Sequence, residues 1–123
     1  KPEILLLDEP TAGLDPLSRA EIASHLQSLK EKGITMVIST HQYEEAAGLM
    51  DRVSVLAEGR SRIQGAPGKV FTQEKMLNEF NLEQPLAVRV AGGMRRKGWP
   101  IPHSAVSLTQ LLQALQRLSG EAQ

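Results

Sequence analysis

The sequence predicts an α/β fold: parallel strands joined by a helix, followed by a small, mostly helical C-terminal extension. Three observations carry this. The aliphatic runs "ILLL" from Ile4 and "ITMVI" from Ile34 each end abruptly on polar residues. Between them Ile22, Leu26 and Leu29 recur at i, i+4 and i+7, the spacing of one helix face. After Gly65 the texture changes to turn-rich segments and helical leucine stripes.

Residues 3–8 read as a buried strand, because a short aliphatic run bounded by turn residues suits a parallel sheet covered on both faces. Asp15-Pro16 opens a helix: Asp caps free N–H groups, and Pro is tolerated in the first turn. Gly33 closes it. Residues 34–39 form a second strand, rich in β-branched and apolar side chains. Strand, helix and strand of these lengths make a βαβ unit with a parallel pair. A short helix is expected over 42–50. Residues 52–57 and 60–64 are expected to pair as an antiparallel hairpin across "EGR".

Beyond the hairpin, "GAPGKVFTQ" reads as turn and 75–81 as a short helix. Residues 85–97 begin as a helix that Gly92-Gly93 weakens, each glycine costing about 1 kcal/mol relative to Ala. "WPIP" at 99–102 cannot be helical, since each proline also biases its predecessor toward extended geometry. Residues 107–118 carry Leu108, Leu111, Leu112, Leu115 and Leu118 on one helical stripe, and "LSGEAQ" ends the chain as a fraying tail.

The chain has 123 residues, 41% of them hydrophobic and 23% charged, which marks a globular protein with a real core. Lys and Arg number 14 and so do Asp and Glu, giving net charge +0, so no global basic field exists to bind nucleic acid or an anionic membrane. There is no cysteine, hence no disulfide framework and no thiolate metal site. The longest purely aliphatic run is far too short to span a membrane. The chain opens on Lys1 and enters a strand almost at once, the expectation for a piece of something longer.

Chemistry concentrates where the strands end. Asp8 and Glu9 follow the first run, and "STH", Ser39 to His41, follows the second. Carboxyl ends of parallel strands are where α/β sheets bind ligands. Two carboxylates and an imidazole are thus aimed at one crevice. Asp8 is suited to hold a divalent cation through water, Glu9 to orient or deprotonate a water, and His41 to donate a hydrogen bond to charge on a phosphate. Phosphoryl-transfer hydrolysis needs this set.

With these residues placed, "ILLLDEPTAGLDP" and "STHQYEEA" resemble the second half of an ATP-binding-cassette (ABC) ATPase. "ILLLDE" is similar to the Walker B strand with its catalytic glutamate, Asp8 and Glu9. "TAGLDP" is similar to the D-loop, with Asp15 at its acidic position, and His41 to the switch histidine. The resemblance implies the C-terminal part of a P-loop NTPase of RecA-like cassette fold, with ATP and Mg2+ as cofactors. It implies nucleotide contacts from Asp8, Glu9, His41 and Asp15, with Asp8 on Mg2+ through water. It also implies a dimer of nucleotide domains, with Gly13, Leu14 and Asp15 at the interface. Gln42 stands where the family often has Asp, a departure expected to matter little.

The phosphate-cradling G-x-x-x-x-G-K-[ST], the glutamine loop and the signature "LSGGQ" occur nowhere in the chain. The terminal "LSGEAQ" echoes the signature only faintly. The chain alone is therefore expected to hydrolyse no ATP. Within the family, Gly65, Pro67, Val70 and Phe71, then Leu77, Asn81, Leu82, Glu83 and Pro85, then residues 95–98 resemble the ATPases of energy-coupling-factor and cobalt/nickel importers. That resemblance implies uptake of a vitamin or transition-metal ion. It also implies a second ABC ATPase subunit and a membrane coupling subunit as partners, no nucleic acid, and a place on the cytoplasmic face of the cell membrane. The expected division is 1–65 as the cassette part and 66–123 as the extension. Two other readings compete: a soluble ABC ATPase of DNA repair or translation, and a truncated, non-catalytic interaction module. His25 and His103 read as ordinary surface residues, and Arg95-Arg96-Lys97 as a solvated helix end complementing the dipole.

Overall fold

The computed structural model describes residues 3–121, and they form two compact units that divide between Leu49 and Met50. In the first, β1 (Ile4–Asp8), α1 (Pro16–Glu31), β2 (Thr35–Ser39) and the one-turn α2 (Tyr43–Ala46) follow in order. β1 and β2 pair in parallel, from Ile4 opposite Thr35 to Asp8 opposite Ser39, so the expected βαβ unit is present.

Local chemistry sets the ends of α1. The Asp15 carboxylate accepts a hydrogen bond from the Ser18 N–H at 3.3 Å, and Pro16 occupies the first turn. At the other end Gly33 takes φ +86°, where Ile34 N–H reaches back to Leu29 O at 3.2 Å and Gly33 N–H to Lys30 O at 3.0 Å. This left-handed closure is what the glycine was expected to supply. Ile22, Leu26 and Leu29 form the helix's inward stripe, with Leu26 buried.

The strands differ from expectation in one respect. The first was expected to be covered on both faces. Instead burial alternates, with Leu5, Leu7, Met36 and Ile38 half-buried while Ile4, Leu6 and Val37 are 62, 73 and 58% exposed. The physical reason is the layer count: this unit holds a single long helix, α1, and a strand turns successive side chains to opposite faces.

In the second unit β3 (Val53–Ala57) and β4 (Arg60–Gly65) form the expected antiparallel hairpin. Its two-residue loop, Glu58-Gly59, has φ +53° and +74°, the mirror-image turn whose twist matches that of the strands. Arg62 is the extra residue where the register shifts between Val55 and Leu56. Its guanidinium bonds Glu58 at 2.9 Å and Ala57 O at 3.2 Å, clamping the turn.

The helices α3 (Pro67–Val70), α4 (Glu74–Glu79), α5 (Leu86–Arg96) and α6 (Leu108–Glu121) follow. The segment read as turn thus contains one helical turn, α3, started by Pro67. It delivers Val70 and Phe71 into the core, 0 and 2% exposed. α5 runs straight through Gly92-Gly93. The helix buries Ala87, Val88 and Ala91, and this packing outweighs the glycine penalty. Ala87, Ala91, Ile101, Ala105 and Leu111 make a buried cluster, with Met94, Leu115 and Leu118 against it. "WPIP" is non-helical as expected, with the Ile101 N–H turned back to Trp99 O at 2.9 Å, and it hands Ile101 to that cluster. α6 continues to Glu121, past the expected fraying point, and residues 122–123 lie outside the described residues.

Candidate functional site

β1 ends on Asp8, and the backbone then turns sharply. Glu9 adopts φ +47°, a left-handed conformation uncommon for a non-glycine residue. Its N–H still donates to Ser39 O at 2.8 Å, and its own carbonyl accepts from Ala12 N–H at 3.1 Å. The kink turns the Glu9 side chain toward the loop after β2.

There it meets His41. The imidazole Nδ1 lies 2.5 Å from Glu9 Oε1, and the His41 backbone N–H donates to the same oxygen at 2.9 Å. Thr40 Oγ1 donates to Oε2 at 3.2 Å. Partial desolvation pushes the Glu9 carboxyl up, but the hydrogen bonds from the His41 ring and backbone, the imidazole charge and the Thr40 hydroxyl outweigh it. The net effect holds the carboxyl below its ordinary value. Glu9 is thereby kept ionised, an acceptor only.

Asp8 has a different partner: Ser39 Oγ donates to its Oδ1 at 2.5 Å, across the last register pair of the sheet. The structure thus brings Glu9 and His41 together and sets exposed Asp8 beside Ser39 at the same strand ends. Asp15 takes no part in this cluster, its carboxylate being used as the cap of α1 and held below its ordinary value by the hydrogen bonds from Ser18. Gly13 is exposed at φ +75° and Leu14 half-buried, on the turn leading into that cap.

Ser39 and Thr40 were given no role by sequence reasoning, and Gln42 was read only as a mild departure. Gln42 is more than a neutral departure: its Oε1 accepts from Thr11 Oγ1 at 3.2 Å, and its N–H donates to Thr40 Oγ1 at 2.9 Å. It ties the loop after β1 to the loop after β2. The signal that could have found Ser39 was register, since the parallel pairing places it opposite Asp8.

No protein-family model matches the chain. Among curated proteins, it is 42% identical over 119 residues to the energy-coupling factor transporter ATP-binding protein EcfA1 of Symbiobacterium thermophilum, covering 96% of this chain and 41% of that protein. It is 36% identical over 116 residues to EcfA2 of the same organism, covering 94 and 40%. Among solved structures, it is 41% identical to cbiO1 from Clostridium perfringens, described as part of the ABC transporter complex cbiONQ. That alignment has a TM-score of 0.53 and covers 76% of this chain and 37% of that one. The chain spans about two fifths of the length of the curated relatives it matches. By sequence and by fold, the chain matches the C-terminal part of energy-coupling-factor and CbiO ABC ATPases.

Proposed function

We propose that this chain is the C-terminal part of the ATP-hydrolysing subunit of an ABC importer of the energy-coupling-factor or cobalt/nickel kind, energising uptake of a vitamin or transition-metal ion. The observation that carries this reading is the Glu9 carboxylate gripped by His41 at the carboxyl end of a parallel strand pair. The names of the relatives support the importer branch.

Bound with Mg2+, ATP supplies the terminal phosphoryl group whose transfer to water releases the energy. The donors here fit Mg2+ in one way. Among the described residues no group of three or more His, Cys, Asp or Glu can cage a metal. Mg2+ asks less than a cage, typically one or two carboxylates, its remaining positions going to water and phosphate oxygens. Exposed Asp8 offers that carboxylate, oriented by Ser39.

Glu9 is the water-positioning group. Its Oε1 already receives two bonds from His41, whereas Oε2 receives only the longer one from Thr40. Oε2 is the oxygen left to accept a proton from water. His41 keeps a 75% exposed side chain, so Nε2 faces outward while Nδ1 faces Glu9. Only the imidazolium form donates from both nitrogens at once. In that form one ring bridges the ionised glutamate and a phosphate oxygen, stabilising charge there.

On the same reading Gly13, Leu14 and Asp15 lie at the contact with a second ABC ATPase subunit. The cassette part spans 1–65 and the extension 66–123 of this chain. The subunit is held on the cytoplasmic face by a membrane coupling subunit, and among the described residues no helix is long and apolar enough to cross a membrane. The test uses the full-length protein. Glu9→Gln is expected to lower kcat for ATP hydrolysis by about 10²–10⁴ with nucleotide binding retained, the range of a general base. Hydrolysis at the parent rate would overturn the assignment.

A further inference from the structure

The C-terminal unit contains a cavity of about 560 Å³ that shares no residue with the Asp8, Glu9 and His41 set. Its size is that of a small-molecule site. The α5 wall is built by Arg89, Gly92 and Arg96, which follow at i, i+3 and i+7 and so share one helix face. Gly92 leaves room at the middle of this face: a Cβ placed there would meet nothing nearer than the Arg96 guanidinium at 3.6 Å.

The basic run at the end of α5 divides by partner. Arg95 Nη1 donates to Ile101 O at 3.2 Å and Pro102 O at 3.4 Å, so it is anchored to the backbone of the "WPIP" turn. Arg89 and Arg96 line the same cavity and are exposed, and their guanidinium groups have no hydrogen-bond or ion-pair partner among the described residues. Elsewhere in the same unit Arg62 and Arg52 have side-chain partners. The cavity is also lined by Thr72, Gln84, Glu74 and His103. The Thr72 hydroxyl and the Gln84 amide are already committed to backbone carbonyls, at 2.8 Å from each. Three arginines and one glutamate therefore line the same cavity.

We infer that this cavity is a binding site for a small phosphomonoester, with the phosphate held between Arg89 and Arg96 and a hydroxyl of the same molecule donating to Glu74. Guanidinium forks match phosphate oxygens in pairs, which a lone ammonium does not do. The carboxylate favours a ligand that also carries a hydroxyl donor. The phosphomonoester comes either from a soluble metabolite or from a lipid headgroup.

The test is calorimetric titration of the full chain with glycerol 3-phosphate, alongside co-sedimentation with vesicles of phosphatidylcholine containing lysophosphatidic acid, which keeps a free glycerol hydroxyl. The proteins compared are the parent, Arg89→Gln, Arg96→Gln, the double variant and the control Arg60→Gln. Because neither guanidinium has a partner, the variants should melt like the parent, and a thermal scan checks this. Each single substitution is expected to weaken binding about tenfold, the effect of losing one charge-assisted hydrogen bond. The double variant should abolish binding and the control should leave it intact. Loss confined to glycerol 3-phosphate supports the site with a soluble source, and loss confined to the vesicles supports it with a lipid source. Binding of neither probe by the parent, or equal weakening in the control, would overturn the proposal.

Discussion

Glu9 and His41 stand 32 positions apart in the chain, yet the ring Nδ1 and the backbone N–H of His41 both engage one carboxylate oxygen of Glu9, at 2.5 and 2.9 Å. The pairing exists because β1 and β2 are adjacent and parallel, which brings their carboxyl ends side by side. It also depends on the left-handed backbone of Glu9, a conformation that costs about 1–2 kcal/mol in an L-residue.

The Glu9 carboxyl should titrate below its ordinary value of 4.5, and His41→Ala and Thr40→Val should each move it back up. A carboxyl depressed by folding stabilises the fold above 4.5, and that contribution is lost as pH falls through the lowered folded value. Carboxyl-carbon NMR of Glu9 against pH checks both statements. An unmoved titration in His41→Ala would refute the assigned cause.

Thr11 and Gln42 should act as one tether. Thr11→Val and Gln42→Ala are each expected to cost about 1 kcal/mol, and the double variant little more than either alone, because both remove the same hydrogen bond. Denaturant melts of the four proteins complete the cycle. Full additivity would show that the bond contributes nothing.

Gly68 should be intolerant for a packing reason. A Cβ there would lie 2.3 Å from the carbonyl oxygen of His103, a backbone atom that cannot step aside. Gly68→Ala is expected to destabilise the C-terminal unit by about 1–3 kcal/mol. Gly120→Ala, in α6 with nothing within 4 Å, should instead stabilise it by up to about 1 kcal/mol. Thermal scans that rank the two the other way would refute this.

The two units of the 123-residue chain should differ in stability. Among the described residues up to Leu49, the buried hydrophobic ones are Leu26 and Ala47, whereas Val70, Leu77 and Val106 anchor a much larger set beyond it. Hydrogen exchange should show the strands β1 and β2 opening before β3 and β4. Leu6→Lys and Val37→Lys should reduce self-association by breaking the exposed apolar face of the strand pair. The same chain should show no Mg2+-dependent ATP hydrolysis. A single cooperative melt, or measured turnover, would contradict these expectations.

Much of this molecule is legible along the chain because the responsible interactions are local. The Asp15-Pro16 start of α1, its Gly33 closure, the Glu58-Gly59 turn and the leucine stripe of α6 each depend on neighbours within a few residues. The motif residues Asp8, Glu9 and His41 were equally visible, since strand ends carry polar side chains whatever surrounds them. Other features depended on non-local contacts. Arg95 and Arg96 are adjacent in sequence and both line the cavity, yet only Arg95 is anchored to the "WPIP" backbone. Gly92-Gly93 stays helical because Ala87, Val88 and Ala91 are buried, and β1 keeps an open face because burial requires a second layer. Propensity and capping act within one helical turn, so the sequence by itself determines them. Burial, register and side-chain pairing need partners from distant positions, so only the tertiary structure decides those.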